Sequence, residues 1–535
     1  MVPILSKVSW AIRWRLKHRA HNRRLQNLAL AVERLAPDPK TPPVIFFNAS
    51  TRLQGLSLNA AFSLLASWAL RLAGTPVVHF VCHSGMNPCV LGTDRDQIGK
   101  APPCGSCIRQ SHQAYKGVFA RWFKFEPDDE LVRIVSRLSL AELINYRRKG
   151  MPLGEMVLPS VRWVLRRHTL EGDENTRYLL RQYMLAAWNI VEEFNKLADE
   201  VKPMKVVVFN GMFFPEAAVR WAAQKRGISV ITHEVALRPN TAFFTTGEAT
   251  AYPIDIPNDF KLSPSQEKQL DEYLEQRFQG NFSMAGIRFW PEMKNLDPEF
   301  LEKLTQFKQV VPVFTNVVFD TSQGHANVVF PQMFAWLDTV LASIRAHPET
   351  LFVIRAHPDE TRPGKESRES VSMWVRQNEV HKLPNVLFVD PREYFSSYEL
   401  IQHSKFVMVY NSTIGLEASL MGVAVLCGGK ARFTQVPTVF FPTTPEEFTQ
   451  KTEEFLAAER IVQPPEHREN ARRFLYYQLF KSSLPLDEFI EEDEIWRGYV
   501  RFKKIDLKDL TPARSPAVAA IVEGIQNDGS FLLEG

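Results

Sequence analysis

Residues 406–417 read FVMVYNSTIGLE. Phe406 to Val409 is an unbroken apolar run, as a strand covered on both faces requires. Tyr410-Asn411 breaks the run with polar side chains, and a helix is predicted from Ser412 to Met421. A strand, a short polar turn and a helix entered at Ser or Thr make the repeating unit of a parallel α/β sheet.

The same unit recurs on both sides of this stretch. Upstream, strands are predicted at 310–315, 351–355 and 386–389, with helices over 330–346, 365–377 and 397–403. Downstream come a strand at 424–427 and helices over 445–457 and 467–479. An earlier series has strands at 44–48, 77–81, 206–210 and 229–232, with helices over 59–72 and 215–226. Residues 105–200 read as mainly helical, most clearly 175–197, and the tail after 506 carries little pattern. The fold class is therefore α/β, with two doubly wound Rossmann-like domains, a helical insertion and C-terminal helices. The expected division is a basic arm at 1–40, a first domain at 41–305 with a cysteine-bearing loop at 82–107, a second domain at 306–460, and helices and tail at 461–535.

Open α/β sheets bind ligands beyond the carboxyl ends of their strands. In the second series those ends are polar: Thr315-Asn316 leading to Asp320, Arg355-Ala356-His357-Pro358-Asp359-Glu360, Asn411-Ser412-Thr413, and Gly428-Gly429-Lys430. Ser412 and Thr413 stand where a helix N-terminus offers free N–H groups and a positive dipole end to an anion. They equally suit a plain helix cap. Glu417, one turn on, has the reach to accept from a ribose hydroxyl, and is equally placed to be a solvated acid. An imidazole at His357 can donate to a phosphate, with Pro358 fixing the turn.

From Phe314 to Phe441 the chain resembles bacterial capsule polysaccharide biosynthesis proteins, glycosyltransferases of the GT-B kind that include Kdo-type transferases and are reminiscent of sialyltransferases. The residues that carry the resemblance are Phe314-Thr315-Asn316 with Asp320, Ile354 to Glu360, Ser396 to Leu400, Tyr410 to Glu417, Gly422 and Gly429-Lys430. It implies two Rossmann-like domains facing a cleft and a nucleotide-sugar donor, CMP-, UDP- or GDP-linked, in the second domain. It implies phosphate contacts for His357, Ser412 and Thr413. The donor-side set is then Thr315, Asn316, Arg355, His357, Pro358, Asn411, Ser412, Thr413, Gly415, Glu417 and Lys430.

The first domain is left for the acceptor, a surface polysaccharide or lipid-linked glycan. Asn210-Gly211 ends one strand and His233-Glu234 ends the next. An inverting transfer needs a group to take the acceptor hydroxyl's proton. Glu234 is the first choice and His233 the second, with Asp94, Asp96 and Asp320 in reserve; Glu234 also suits a structural carboxylate. No Asp-x-Asp pair lies beside the donor-side segments, so the expected chemistry uses no metal or other cofactor. Three rival readings stay open: a sugar-nucleotide 2-epimerase, a CDP-polyol phosphotransferase, and a non-catalytic partner in glycan assembly.

Cys82, Cys89, Cys104 and Cys107 fall within one loop, and Cys104-Gly105-Ser106-Cys107 resembles half of a zinc knuckle. Four thiolates would close a tetrahedral structural zinc site, with His83 and His112 as substitutes. Free buried thiols, a redox pair and an iron–sulfur cluster are the other readings.

Nine Lys or Arg and two acids fall in residues 1–40, so the small net charge of +4 hides a basic arm on a slightly acidic body. A body without a basic footprint argues against a nucleic-acid polymer as partner. The arm from Ile4 to Leu35 carries Trp10 and Trp14 among its cations and fits an anionic membrane surface, or a helix packed through Leu16, Leu25, Leu28 and Leu30. No apolar run reaches the roughly 18–20 residues of a spanning helix. The sequence therefore suggests a cytoplasmic protein, peripheral on the inner face of the membrane.

Overall fold

The computed structural model describes residues 4–39, 41–49, 53, 55–279, 294–494 and 498–534. The chain forms two compact units, Met1–Val164 with Glu171–Thr250 and Leu479–Gly535, and Leu165–Leu170 with Ala251–Gln478.

The strands, in chain order, are β1 (Val44–Asn48), β2 (Val77–Cys82), β3 (Ala120–Phe123), β4 (Lys205–Phe209), β5 (Ser229–Val235), β6 (Thr241–Thr245), β7 (Gln309–Phe314), β8 (Thr350–Arg355), β9 (Val386–Val389), β10 (Val407–Val409), β11 (Val425–Cys427), β12 (Leu484–Pro485), β13 (Ile490–Glu492) and β14 (Val500–Phe502). In the first unit β3-β2-β1-β4-β5 are parallel, and β6 and β12 extend the sheet antiparallel. In the second unit β11-β10-β7-β8-β9 are all parallel. Counted from its own first strand, each parallel set runs 3-2-1-4-5, the Rossmann order. The order reverses between β1 and β4 in one unit and between β7 and β10 in the other. Those switch points are where such sheets hold ligands.

Every residue of β1, β7 and β8 is buried, which accounts for their unalternating apolar sequences. Helix Leu58–Leu72 is buried continuously from Ala60 to Leu70, and its first turn is capped by Ser57, whose Oγ accepts the Ala60 N–H at 3.2 Å. A helix apolar on all sides must lie inside a core. Here it packs against helix Ile4–Leu35 and helix Pro516–Asn527. Each fully buried Leu, Val or Phe there contributes about 1.5–3 kcal/mol.

The observed division differs from the one read in the sequence. Residues 251–305 and 461–478 belong with the second unit, because helix Pro264–Phe278 packs on helix Pro465–Tyr476 and Arg472 bonds Glu267 and Asp271. Of the two readings of the basic arm, the packed helix holds in part: Leu25, Leu28, Ala29 and Val32 join the first unit's core, while Leu16 is exposed. The tail is not featureless. Helix Pro516–Asn527 buries Val518, Ile521, Val522 and Ile525 in the same core.

Candidate functional site

In the second unit the switch point lies between the ends of β7 and β10. Asn316 and Asn411 meet across it, Asn316 Nδ2 donating to Asn411 Oδ1 at 2.6 Å. Gln323 donates to the same oxygen at 3.3 Å, and Asn316 Oδ1 turns back to accept the Val317 N–H at 3.0 Å. Thr315 is buried, and its hydroxyl donates to the Arg355 carbonyl at 3.0 Å, joining the ends of β7 and β8. It positions its neighbours and presents nothing to a ligand, a correction to its place among the donor-side contacts.

Thr413 enters helix Ile414–Leu420 without any side-chain cap bond. The turn is held by the backbone instead, Gly415 N–H donating to Ser412 O at 3.1 Å and Leu416 N–H to Thr413 O at 3.0 Å. The half-buried hydroxyls of Ser412 and Thr413 are thus not consumed by capping, although the helix is only seven residues long. Gly415 is dictated by space: a Cβ there would stand 2.9 Å from Val409 Cγ2 and 3.1 Å from Phe433 Cζ.

After β8, His357 is half-buried and caps the turn Pro358–Thr361, its Nδ1 accepting the Asp359 N–H at 3.1 Å. With Nδ1 an acceptor, the ring proton of the neutral imidazole sits on Nε2. Desolvation lowers the pKa of His357, opposed by the charges of Asp359 and Asp320, so the ring is neutral at neutral pH. Arg355 is buried, and loss of water brings its guanidinium down to about 10. Lys430 follows β11 on the exposed surface, its own N–H bonded to Ala326 O at 3.0 Å.

Glu417 is not the open ribose acceptor its position suggested. It is buried, with Oε1 accepting from Arg277 Nη2 at 2.5 Å and Oε2 accepting from the Tyr398 hydroxyl. Arg277 comes from helix Pro264–Phe278, far off in sequence, so nothing local announced the pair.

In the first unit the switch point adjoins a cavity of about 130 Å³, lined among others by Asn48, Ser57, Asn59, Phe209, Phe213 and Glu216. Glu234 is anchored at its side: Asn210 Nδ2 donates to Oε2 at 2.9 Å, and Asn59 Nδ2 and the Val235 N–H donate to Oε1 at 3.1 and 2.9 Å. Asn210 and Gly211 take left-handed backbone angles (φ 59° and 81°), and Asn210 Oδ1 closes the turn on the Met212 N–H at 3.0 Å. β5 runs on to Val235, so His233 and Glu234 lie within the strand and point to opposite faces. His233 falls on the core side, stacked on Phe244 at 5.2 Å between ring centroids, and burial drops its pKa to about 3. That removes it as a base.

Glu216 is the residue the sequence reading passed over. It sits in the first turn of helix Phe214–Lys225, buried, and lines the same cavity. Burial first, and the charge of Glu234 next, raise its pKa to about 8. The available signal was an acid in a helix first turn directly after the Asn210-Gly211 turn.

Residues 292–454 match the family described as capsule polysaccharide biosynthesis protein. No curated protein matches the chain. Among solved structures, the chain is similar to a beta Kdo 2,4 transferase, KpsC of Thermosulfurimonas dismutans, at 13% identity and a TM-score of 0.33, covering 51% of this chain and 79% of that one. It is similar to a UDP-GlcNAc 2-epimerase of Neisseria meningitidis at 13% identity and a TM-score of 0.25, covering 69% and 94%. It is also similar to a sucrose-phosphate synthase of Thermosynechococcus elongatus at 12% identity and a TM-score of 0.27, covering 82% and 94%. Likenesses this weak carry no functional argument.

The capsule-family segment contains every donor-side candidate, from Thr315 to Lys430, and within it Asn316, Asn411, Ser412, Thr413 and His357 stand at the carboxyl ends of one sheet. The cysteines lie outside it. Cys82, Cys89, Cys104 and Cys107 form no disulfide and line one space of about 20 Å³. Gly85 and Gly92 N–H groups donate to the sulfurs of Cys82 and Cys89, each at 3.2 Å. Among the described residues, however, no three His, Cys, Asp or Glu side chains stand in metal-holding geometry. Burial pushes the Cys82 thiol up to about 12 and Cys89 further still. His112 stacks on Trp122 at 4.2 Å between ring centroids. The four cysteines thus border one space without forming such a group among the described residues.

Proposed function

We propose that this protein is a glycosyltransferase that moves a sugar from a nucleotide-sugar donor, held by the second unit, to a surface polysaccharide or lipid-linked glycan. One observation carries the reading. The capsule-family match spans the polar strand ends of β7, β8, β10 and β11, and those ends surround the switch point of a Rossmann-order sheet.

In this proposal His357 Nε2–H, the hydroxyls of Ser412 and Thr413 and nearby backbone N–H groups receive the donor's phosphates. Their preorganised dipoles stabilise the negative charge that gathers on the departing nucleotide. Lys430 adds a cation at the rim, and the transfer proceeds without a metal ion, so chelators leave it unchanged. Glu234, oriented by Asn59 and Asn210, takes the proton of the acceptor hydroxyl.

Thermal unfolding in the presence of CMP, UDP, GDP or CDP tests the donor half. A ligand at 100 times its Kd stabilises the folded state by about 2.7 kcal/mol. One of the four is expected to raise Tm, and His357→Ala to remove that shift. If none does, or His357→Ala still responds, the donor site is misassigned. Glu234→Gln should keep the nucleotide shift while transfer falls roughly 10²-fold or more. Product formed without an acceptor would identify an epimerase and overturn transfer.

A further inference from the structure

Helix Ile4–Leu35 and helix Cys104–Ala114 face each other across an open groove of about 720 Å³ in the first unit. Arg15, Arg19 and Arg23 line one wall, and Arg109 and Lys116 the other. No Asp or Glu is among the lining residues. The three arginines recur every fourth position, so they share one helix face, and like charges at that spacing repel one another. Other cations of the same helix are engaged elsewhere: Lys17 pairs with Glu494, and Arg24 donates to the Phe502 carbonyl at 2.7 Å. Among the described residues, no carboxylate pairs with any of the five groove cations. A fold that leaves five cations converging on one groove, with no acid to offset them, is arranged for an anion.

The neighbouring surface says what kind of anion. Ile12 and Leu16 lie one helical turn apart beside the arginine face and are 53% and 60% exposed. Trp14, on the groove wall, stacks on His18 at 5.0 Å between ring centroids. Cations in a groove with bare apolar side chains at its edge match a ligand that is anionic at one end and hydrocarbon at the other. We propose that this groove binds the phosphate of an anionic lipid headgroup, with Ile12 and Leu16 against the chain region. The buried half of the helix, through Leu25, Leu28, Ala29 and Val32, fixes the groove to the body of the unit. No described helix is long and apolar enough to cross a membrane, so the contact is made at the surface. The proposal is independent of the glycosyltransferase reading.

Co-sedimentation of the full chain with vesicles provides the test. Vesicles of phosphatidylcholine alone are compared with vesicles holding about 30 mol% phosphatidylglycerol, since anionic lipid attracts each nearby cation. Binding is expected only to the anionic vesicles and to weaken steeply with salt. Arg15→Gln/Arg19→Gln/Arg23→Gln should reduce it at least about tenfold, whereas Arg345→Gln/Arg460→Gln/Arg468→Gln, the same charge loss on exposed residues of the other unit, should not. Should the first triple variant fail to fold, Arg109→Gln/Lys116→Gln tests the opposite wall with the same expectation. Leu16→Ser, which removes apolar surface without adding charge, separates the two sources of phosphate: it should weaken vesicle binding and leave the binding of soluble pyrophosphate unchanged. Equal loss in both triple variants overturns the groove. So does pyrophosphate binding without vesicle binding, or capture of a soluble acidic glycan in place of vesicles.

Discussion

Glu417 illustrates how one residue can satisfy a sequence reading and serve another end. Its place in the first turn after Ser412-Thr413 invited a ligand, but its carboxylate is shared between Arg277 and Tyr398 in the interior. Both partners of the ion pair are about 5% exposed, so little water screens it. Removing one member of such a pair strands the other charge, at a cost of about 3–5 kcal/mol. Glu417→Ala should therefore lower the unfolding free energy by that amount in urea titration, and a loss below about 1 kcal/mol would show the pair to be solvated. Glu216 has the opposite character, a buried acid held protonated. Its pKa rises from 4.5 to about 8 on folding, so the folded state binds its proton more tightly than the unfolded chain does. Stability from this group is present below about pH 4.5 and falls as pH climbs toward 8. Glu216→Gln abolishes that dependence. Its Tm should gain on the parent protein progressively between pH 5 and 8, and a constant difference across that range would refute the raised pKa.

At the scale of elements, what could be read in the sequence is what local chemistry decides. Strands β7, β8 and β10 were legible because strands covered on both faces must be apolar throughout, and the polar residues after them mark the sheet edge. The ends of elements were less legible wherever a distant contact sets them. β5 was expected to stop at Thr232, yet pairing with β6 carries it through His233 and Glu234 to Val235. The helix expected from 365 begins only at Val371, because 362–370 is tied to chain some two hundred residues away. There the Glu369 carboxylate accepts the N–H groups of His168 and Thr169 at 2.7 and 2.8 Å, and the Thr169 hydroxyl at 2.6 Å. Arg368 N–H donates to the Arg166 carbonyl at 2.9 Å. This clasp draws Leu165–Leu170 into the second unit, out of a helical region that otherwise belongs to the first. Hydrogen bonds to a charged acceptor contribute about 1.5–3 kcal/mol each. Glu369→Ala should raise amide exchange at His168 and Thr169 at least about tenfold, while the amides of β7 and β8 keep their protection. Unchanged exchange at 168 and 169 would mean the segment is held by other bonds.

For the molecule as a whole, the path of the chain matters as much as the two sheets. The chain leaves the first unit at Thr250, builds the second, and returns at Leu479 to complete the first. The returning stretch adds β12 to the sheet edge beside β6 and sets Phe502 against Trp68 at 5.1 Å between ring centroids. It also buries Leu484, Leu486, Phe489, Ile490, Val518, Ile521, Val522 and Ile525 in the common core. At about 1.5–3 kcal/mol for each fully buried apolar side chain, those eight alone match or exceed the ~5–15 kcal/mol that holds a typical domain folded. The first unit therefore cannot fold from residues 1–250 alone, whereas the second has its own continuous sheet. A chain ending at Gln478 should lose the cooperative transition of the first unit in calorimetry and retain that of the second. Because the proposed donor site lies wholly within the second unit, the nucleotide that stabilises the full chain should still raise the remaining transition. Two intact transitions in the shortened chain would make residues 479–535 an appendage. One transition that no longer responds to nucleotide would place the donor contacts outside the second unit.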